Sequence, residues 1–102
     1  MAEVGTKPLR ELVDAHRDEI RRIAARHHGR SIAIFGSVAR GDETPTSDID
    51  FLVELEPGTR PFEILALGAD LEQALGVKVD VGTPEMLRDR LAAQVLDEAI
   101  EL

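Results

Sequence analysis

Two aspartates at the head of an alternating segment constrain this chain more than any other feature. Residues 48–55 read Asp-Ile-Asp-Phe-Leu-Val-Glu-Leu. The alternation predicts a strand that buries one face and places the carboxylates of Asp48 and Asp50 on the other, one pleat apart. Aspartate is depleted in strands, and two like charges on one face repel each other. Either the pair lies at a solvated strand end, which is commoner for an isolated Asp-x-Asp, or a divalent cation lies between the carboxylates.

The segment before this strand predicts a long amphipathic helix. Thr6 and Pro8 are typical of a helix start, and apolar residues then recur at three- and four-residue steps as far as His27. Gly29 is a natural stop for this helix. The pattern therefore predicts one continuous helix that packs a single face against the rest of the chain.

The remaining elements follow from apolar runs and turn residues. They are a buried strand over 31–35, a helical turn over 38–40, a loop over 41–47, a helix capped by Thr59 and ended by Gly76, a strand over 77–81 and a helix from Thr83-Pro84 to Arg90. Residues 91–102 are apolar enough to pack, either as a helix or as a strand. The order α-β-α-β-α-β-α predicts an α/β fold in which helices flank a small mixed sheet, with residues 1–102 as a single domain.

Two further features carry possible chemistry. Gly36-Ser37 lies between a strand and a helical turn, where it either cradles a phosphate or simply makes a turn. Asp80 interrupts an otherwise apolar strand, where it is either a surface partner of Lys78 or a third carboxylate beside the first two. Three carboxylates on neighbouring strands can hold two metal ions, which suits an in-line phosphoryl displacement.

Charge and composition narrow the class of partner. Residues 1–40 carry 8 Lys or Arg against 5 Asp or Glu, whereas residues 41–102 carry 4 against 15. Proteins that grip long nucleic acid use basic patches and aromatic rings, but this chain has a net charge of −8, no Trp, no Tyr and 3 Phe. We therefore expect no binding of long nucleic acid, and acidic sites that suit metal ions.

Other classes are excluded by what the sequence lacks. With no Cys, the chain has no disulfide, thiolate zinc site or thiol nucleophile. The longest apolar run, over 32–35, is far shorter than a membrane span, and residues 1–10 lack the apolar core of a signal peptide. We therefore expect a cytoplasmic protein that has no membrane partner.

The residues from Gly36 to Glu54 carry a family resemblance. They read Gly-Ser-Val-Ala-Arg-Gly-Asp-Glu-Thr-Pro-Thr-Ser-Asp-Ile-Asp-Phe-Leu-Val-Glu. This stretch resembles the hallmark of the minimal nucleotidyltransferases (MNT), which belong to the DNA polymerase beta-like superfamily. The superfamily pattern is a Gly-Ser, a gap, an Asp-x-Asp and a later acid on a strand; here the gap is residues 38–47 and Asp80 stands where the later acid belongs. The core of the resemblance covers residues 31–81.

The resemblance implies a Mg²⁺-dependent enzyme that transfers a nucleoside monophosphate from a triphosphate, ATP in this family, to a hydroxyl group. It implies that Asp48, Asp50 and Asp80 are the catalytic residues and the ligands of two metal ions. Asp80 would also help to deprotonate the acceptor.

The resemblance also implies a nucleotide-binding set. Gly36 and Ser37 would hold the β- and γ-phosphates of the nucleotide, and Arg40 would contact the triphosphate or fix the loop. Asp42 and Ser47 are instead predicted to be loop and cap residues.

The resemblance further implies a protein partner. Such chains are commonly paired with a HEPN-domain toxin, as antitoxins that adenylylate a tyrosine of that toxin. The short chain has no second domain to wall an acceptor pocket, so we expect the acceptor to be a partner or to be held by one. Because the chain has no Tyr, a tyrosine-directed reaction is not self-modification. Two alternatives stay open: a non-catalytic antitoxin that neutralises its partner by binding, and a transferase for a small molecule or an RNA end.

Two expectations concern residues outside the motif. The apolar residues of 91–102 are expected to complete the core, with a homodimer or partner contact as the alternative. His16, His27 and His28 have no carboxylate at a metal-site spacing, and we predict that they are helix residues rather than ligands.

Overall fold

The structure, a computed structural model, describes residues 8–87 and 90–102. Its elements in chain order are α1 (Pro8–Ala15), α2 (Arg17–Arg26), β1 (Gly29–Phe35), α3 (Gly36–Arg40), β2 (Ile49–Leu55), α4 (Glu63–Leu75), β3 (Val79–Gly82), a 3-10 helix (Pro84–Leu87), α5 (Arg90–Glu98) and β4 (Ile100–Glu101). None of the described helices is long and apolar enough to cross a membrane.

The strands form one mixed sheet in the order β3-β2-β1-β4. β1 pairs antiparallel with β2 and with β4, whereas β2 and β3 run parallel. A parallel pair needs a crossover connection, and α4 supplies it between β2 and β3. The predicted α/β fold with a small mixed sheet is therefore confirmed, and β3 and β4 are the edge strands of the described sheet.

Alternation along the two central strands decides where the core lies. Ile49, Phe51 and Val53 of β2 are fully buried, and Ile34 of β1 lies beside them. This face of the sheet packs against the apolar stripes of the helices; the buried helical residues are Val13, Ile20, Ile23, Ala24, Val38, Leu67, Leu71 and Leu75. The opposite face of β2 begins at Asp50, as the alternation predicts.

The first helix is not continuous, contrary to the sequence-based prediction. α1 ends at Ala15, and His16 leaves the helical region with φ of −112° and ψ of 21°. The Nδ1 atom of His16 lies 3.0 Å from the carbonyl oxygen of Leu12. The side chain therefore competes with main-chain N–H groups for a carbonyl in the last turn of α1. Pro8 is the first residue of α1, as predicted, while Thr6 lies outside the described residues.

The last part of the chain also differs from expectation. The helix predicted from Thr83-Pro84 to Arg90 is a short 3-10 helix over Pro84–Leu87, and residues 88–89 lie outside the described part. Both alternatives for residues 91–102 occur, since α5 is followed by β4. Leu102 joins the buried core, whereas Leu96 is 59% exposed.

The start of α1 is held by a distant carboxylate that the sequence did not reveal. Glu43 is buried, and its side-chain oxygens accept hydrogen bonds from the main-chain N–H groups of Leu9 (2.9 Å) and Arg10 (3.1 Å). These N–H groups have no partner within the helix, and a negative charge there also complements the helix dipole. Glu43 therefore ties α1 to the loop between α3 and β2.

His27 lies at the C-terminal end of α2, where two carboxylates of α4 meet it. Its Nδ1 lies 2.6 Å from an oxygen of Glu63, and its Nε2 lies 2.6 Å from an oxygen of Asp70. The hydrogen bond to Asp70 raises the pKa of His27, with the bond to Glu63 acting in the same direction. A protonated imidazole donates from both nitrogens, so this arrangement clamps the end of α2 to α4.

The clamp predicts a pH-dependent stability. A raised pKa for His27 means that its contribution is fully present below its usual pKa and is lost as pH rises through the raised value. The pKa of Asp70 is lowered by the same bond, so its contribution is present above its usual value and lost only in acid. We expect His27→Gln to lower the free energy of unfolding at about pH 6, with the difference from wild type shrinking towards about pH 8.

Urea unfolding across this range measures the effect. His28→Asn is the matched control, because His28 has φ of +67° and asparagine tolerates that conformation. A His27→Gln variant whose deficit stays constant with pH would show that the clamp does not titrate.

Candidate active site

The turn from β1 into α3 brings Gly36 against Asp50. Phe35 pairs with Asp50 in the β1–β2 ladder, and Gly36 follows with φ of +74°. A Cβ atom at Gly36 would overlap Oδ2 of Asp50 and lie 3.2 Å from its Cγ. Glycine is the residue that adopts this backbone without strain. The Gly-Ser and Asp-x-Asp pieces of the sequence are therefore in direct contact, and the carboxylate fills the space that a side chain would need.

The second contact of the site is between neighbouring strands. Asp50 pairs with Asp80 in the parallel β2–β3 ladder, so both side chains lie on the sheet face opposite the core. Asp48 immediately precedes β2 and is exposed, as is Asp80, while Asp50 is partly buried. The structure thus pairs Asp50 with Asp80, and Asp48 lies two residues before Asp50, close enough for its charge to act on it.

Electrostatics show that these carboxylates act on one another. Burial, together with the negative charges of Asp80 and Asp48, raises the pKa of Asp50 to about 6. The positive charge of Arg40 acts in the opposite direction. Because the repulsion from Asp80 and Asp48 is larger than the attraction of Arg40, a cation is stabilised at this end of the sheet.

The donor atoms fit a hard divalent cation. Carboxylate oxygens are the ligands that Mg²⁺ prefers, and the three aspartates offer only such oxygens. Within residues 8–87 and 90–102, no three His, Cys, Asp or Glu side chains are drawn together into a ready-made metal site. The chemistry of the donors therefore fits, and the side chains would have to converge on the ion.

Two serines meet beside this carboxylate group. The hydroxyl of Ser37 donates to Oγ of Ser47 at 3.3 Å, and Ser47 Oγ accepts the main-chain N–H of Thr44 at 2.8 Å. The N–H groups of Gly41 and Asp42 both donate to the carbonyl of Ser37, which closes α3. Ser47 thus holds the loop as predicted, and its proximity to Ser37 is a feature that the sequence did not reveal.

Arg40 holds the loop and joins it to the last helix. Its Nε donates to Asp42 at 3.2 Å, and its Nη1 donates to Glu98 of α5 at 3.1 Å. Of the two roles expected for Arg40, these contacts correspond to fixing the loop. Glu98 was missed because it lies far along the chain, and nothing in the local pattern around it points to Arg40.

The comparisons with known proteins agree with this geometry. Residues 14–102 match the nucleotidyltransferase domain family. The protein adenylyltransferase MntA of Thermococcus cleftensis is 32% identical over 100 residues, which cover 98% of each chain. A solved structure of a protein inferred to be a minimal nucleotidyltransferase is 41% identical, with a TM-score of 0.82 over 91% of this chain and 95% of that one.

A second solved structure is a mutant of the MntA–HpeT toxin–antitoxin. One of its chains is 25% identical, with a TM-score of 0.70 over 84% of this chain and 70% of that one. The family match spans most of the chain and includes every residue of the candidate site. The resemblance seen in the sequence is therefore confirmed, and the chain belongs to the nucleotidyltransferase domain family.

Proposed function

We propose that this chain is a protein adenylyltransferase that moves AMP from ATP to a tyrosine hydroxyl of a partner toxin, and so acts as its antitoxin. The observation that carries the proposal is the placement of Asp50, which pairs with Asp80 and touches Gly36. It is supported by the MntA relative, which is named a protein adenylyltransferase, and by the similar chain of a toxin–antitoxin. We assign the partner to the HEPN class on the family resemblance.

The reaction is an in-line displacement at phosphorus. The tyrosine oxygen attacks the α-phosphorus of ATP, a new P–O bond forms, and the bond to the leaving pyrophosphate breaks. The hydroxyl proton passes to the carboxylate of Asp80 and from there to water. Asp80 suits this role because it lies on an edge strand and is exposed, so a macromolecular acceptor can reach it.

The residues around α3 hold the nucleotide. Ser37 would turn its hydroxyl from Ser47 to a phosphate oxygen, since the bond that it leaves is a long one at 3.3 Å. The absence of a side chain at Gly36 lets the backbone lie against the carboxylate of Asp50, so phosphates held at the start of α3 would lie beside that carboxylate. Arg40 adds a positive charge close enough to affect Asp50.

Asp48, Asp50 and Asp80 would hold Mg²⁺. When bound, two such ions would neutralise the triphosphate and stabilise both the attacking and the leaving oxygens. The repulsion that the charges of Asp80 and Asp48 exert on Asp50 is consistent with this role.

Co-expression with the proposed toxin partner separates catalysis from steric neutralisation. We expect Asp48→Asn to lose protection against the toxin by at least about 100-fold in viable count while a pull-down still recovers the complex. Asp97→Asn is the matched control, since Asp97 is an exposed acid on α5. Full protection by Asp48→Asn would support the alternative that the chain neutralises its partner by binding alone.

A further inference from the structure

The outer edge of β3 is an unpaired sheet edge beside the candidate active site. Among the described strands, β3 pairs only with β2. The carbonyl of Lys78 points inward to β2, where it accepts the N–H of Ile49 at 3.2 Å, whereas the N–H of Val79 donates to a side-chain oxygen of Glu72 at 3.1 Å. Successive residues of a strand direct their main-chain groups to opposite sides. Val79 and Val81 therefore direct theirs outward, away from β2.

An apolar groove follows this edge between β3 and α4. It is lined chiefly by Ile64, Leu65, Gly68, Ala69, Val79 and Val81. Leu65 is 76% exposed at the rim of this groove, so its apolar side chain is available to a docked partner. Gly68 and Ala69 have small or no side chains, so the α4 side of the groove leaves room for side chains of a docked partner.

We propose that the acceptor protein docks by adding an extended segment to the outer edge of β3, with the acceptor hydroxyl residue beside Asp80. This inference rests on the proposed function. Side chains of an added strand alternate between faces, so the hydroxyl residue lies on the face of Asp80 and Asp50. Its two neighbours then point into the groove and are expected to be apolar.

Charge favours a basic segment over a second copy of this chain. Lys78 is the one basic residue in the sequence from 61 to 87, whereas Glu72 and Asp80 lie along the edge itself. Two copies paired through β3 about Asp80 would bring this acid against its own equivalent, and such like charges repel. A segment with Lys or Arg outside the apolar neighbours instead complements the edge.

The test uses the full chain and a synthetic peptide, Lys-Arg-Val-Tyr-Val-Arg-Lys with blocked ends. Amide hydrogen exchange by NMR, without ATP, reports whether the N–H of Val81 becomes hydrogen-bonded. We expect saturating peptide to slow exchange at Val81 by at least about tenfold, and a peptide with Glu in place of Lys and Arg not to bind.

Val81→Pro is the decisive variant, because this N–H takes no part in the ladder with β2 and proline is tolerated on an edge strand. We expect it to bind the peptide at least about tenfold more weakly, and the matched control Val81→Ala within about threefold of wild type. If circular dichroism shows that Val81→Pro does not fold, Leu65→Gln replaces it as the test. This variant changes an exposed position and is expected to weaken peptide binding about threefold.

Several results would overturn the proposal. These are peptide binding without slower exchange at Val81, unchanged affinity in the folded Val81→Pro variant, and no binding at millimolar peptide. If the N–H of Val81 exchanges more slowly at higher protein concentration without any peptide, the edge would be assigned to a homodimer instead. Because docking is read without ATP, a docked peptide that receives no AMP contradicts the proposed function and leaves the docking edge intact.

Discussion

Asp50→Asn will abolish AMP transfer and at the same time stabilise the folded chain. The partly buried carboxylate faces Asp80 in the ladder, and burial with the two neighbouring acids raises its pKa to about 6. Asparagine keeps the shape of the side chain but removes the negative charge that would bind the proposed metal ion. We expect transfer to fall at least about 1,000-fold. A rise of about 1–2 kcal/mol in the free energy of unfolding at about pH 7 in chelator should accompany the loss.

The change of stability with pH shows why removing the charge of Asp50 should stabilise the folded chain. Because the folded pKa of Asp50 is raised, the carboxyl favours folding below its usual pKa, and that contribution is lost as pH rises through about 6. Between about pH 4 and pH 7, the free energy of unfolding should therefore decrease less in the variant than in wild type. Urea unfolding at several pH values measures it, with Asp97→Asn as control. A variant that is inactive but less stable at neutral pH would contradict the repulsion described here.

Gly36→Ala is expected to remove activity through a single methyl group. The added Cβ would overlap Oδ2 of Asp50 while the backbone is held at φ of +74°. The positive φ costs about 1–2 kcal/mol for a residue with a side chain, and the overlap adds to that. Displacement of the carboxylate should lower AMP transfer about 100-fold.

A second glycine separates the effect of backbone strain from the effect of the overlap with Asp50. Gly76 ends α4 with the same φ of +74°, but a Cβ there would meet nothing within 4 Å. Gly76→Ala should therefore lose stability through its backbone alone and keep wild-type transfer. Unfolding curves and initial rates of both variants measure this, and equal rates for the two would show that the contact with Asp50 is not needed.

The local patterns in the sequence predicted those parts of the fold that depend on near neighbours. The alternation of 48–55 placed Asp50 opposite the buried face of β2, and the gap from Gly36-Ser37 to Asp48 is spanned by a short helix and a loop. These features depend on period and on turn residues, which are properties of adjacent residues. The position of Asp80 beside Asp50 was expected from the family pattern and agrees with the observed register.

Contacts between distant parts of the chain could not be predicted in this way. Glu43 reaches the first turn of α1, His27 lies between two acids of α4, and Arg40 meets Glu98 of α5. Each contact depends on how the elements pack, and no local period encodes it. The break at His16 arises from one side chain competing with the backbone, which a pattern of apolar spacing does not show.

The most direct test of the account is the intact mass of both proteins after the chain is incubated with ATP, Mg²⁺ and the proposed toxin partner. The account predicts that the toxin gains the mass of one or more AMP groups, that peptide mapping places them on tyrosine, and that Asp50→Asn prevents the gain. An unchanged toxin mass, in a mixture where the two proteins still form a complex, would contradict it and would identify a binding antitoxin instead.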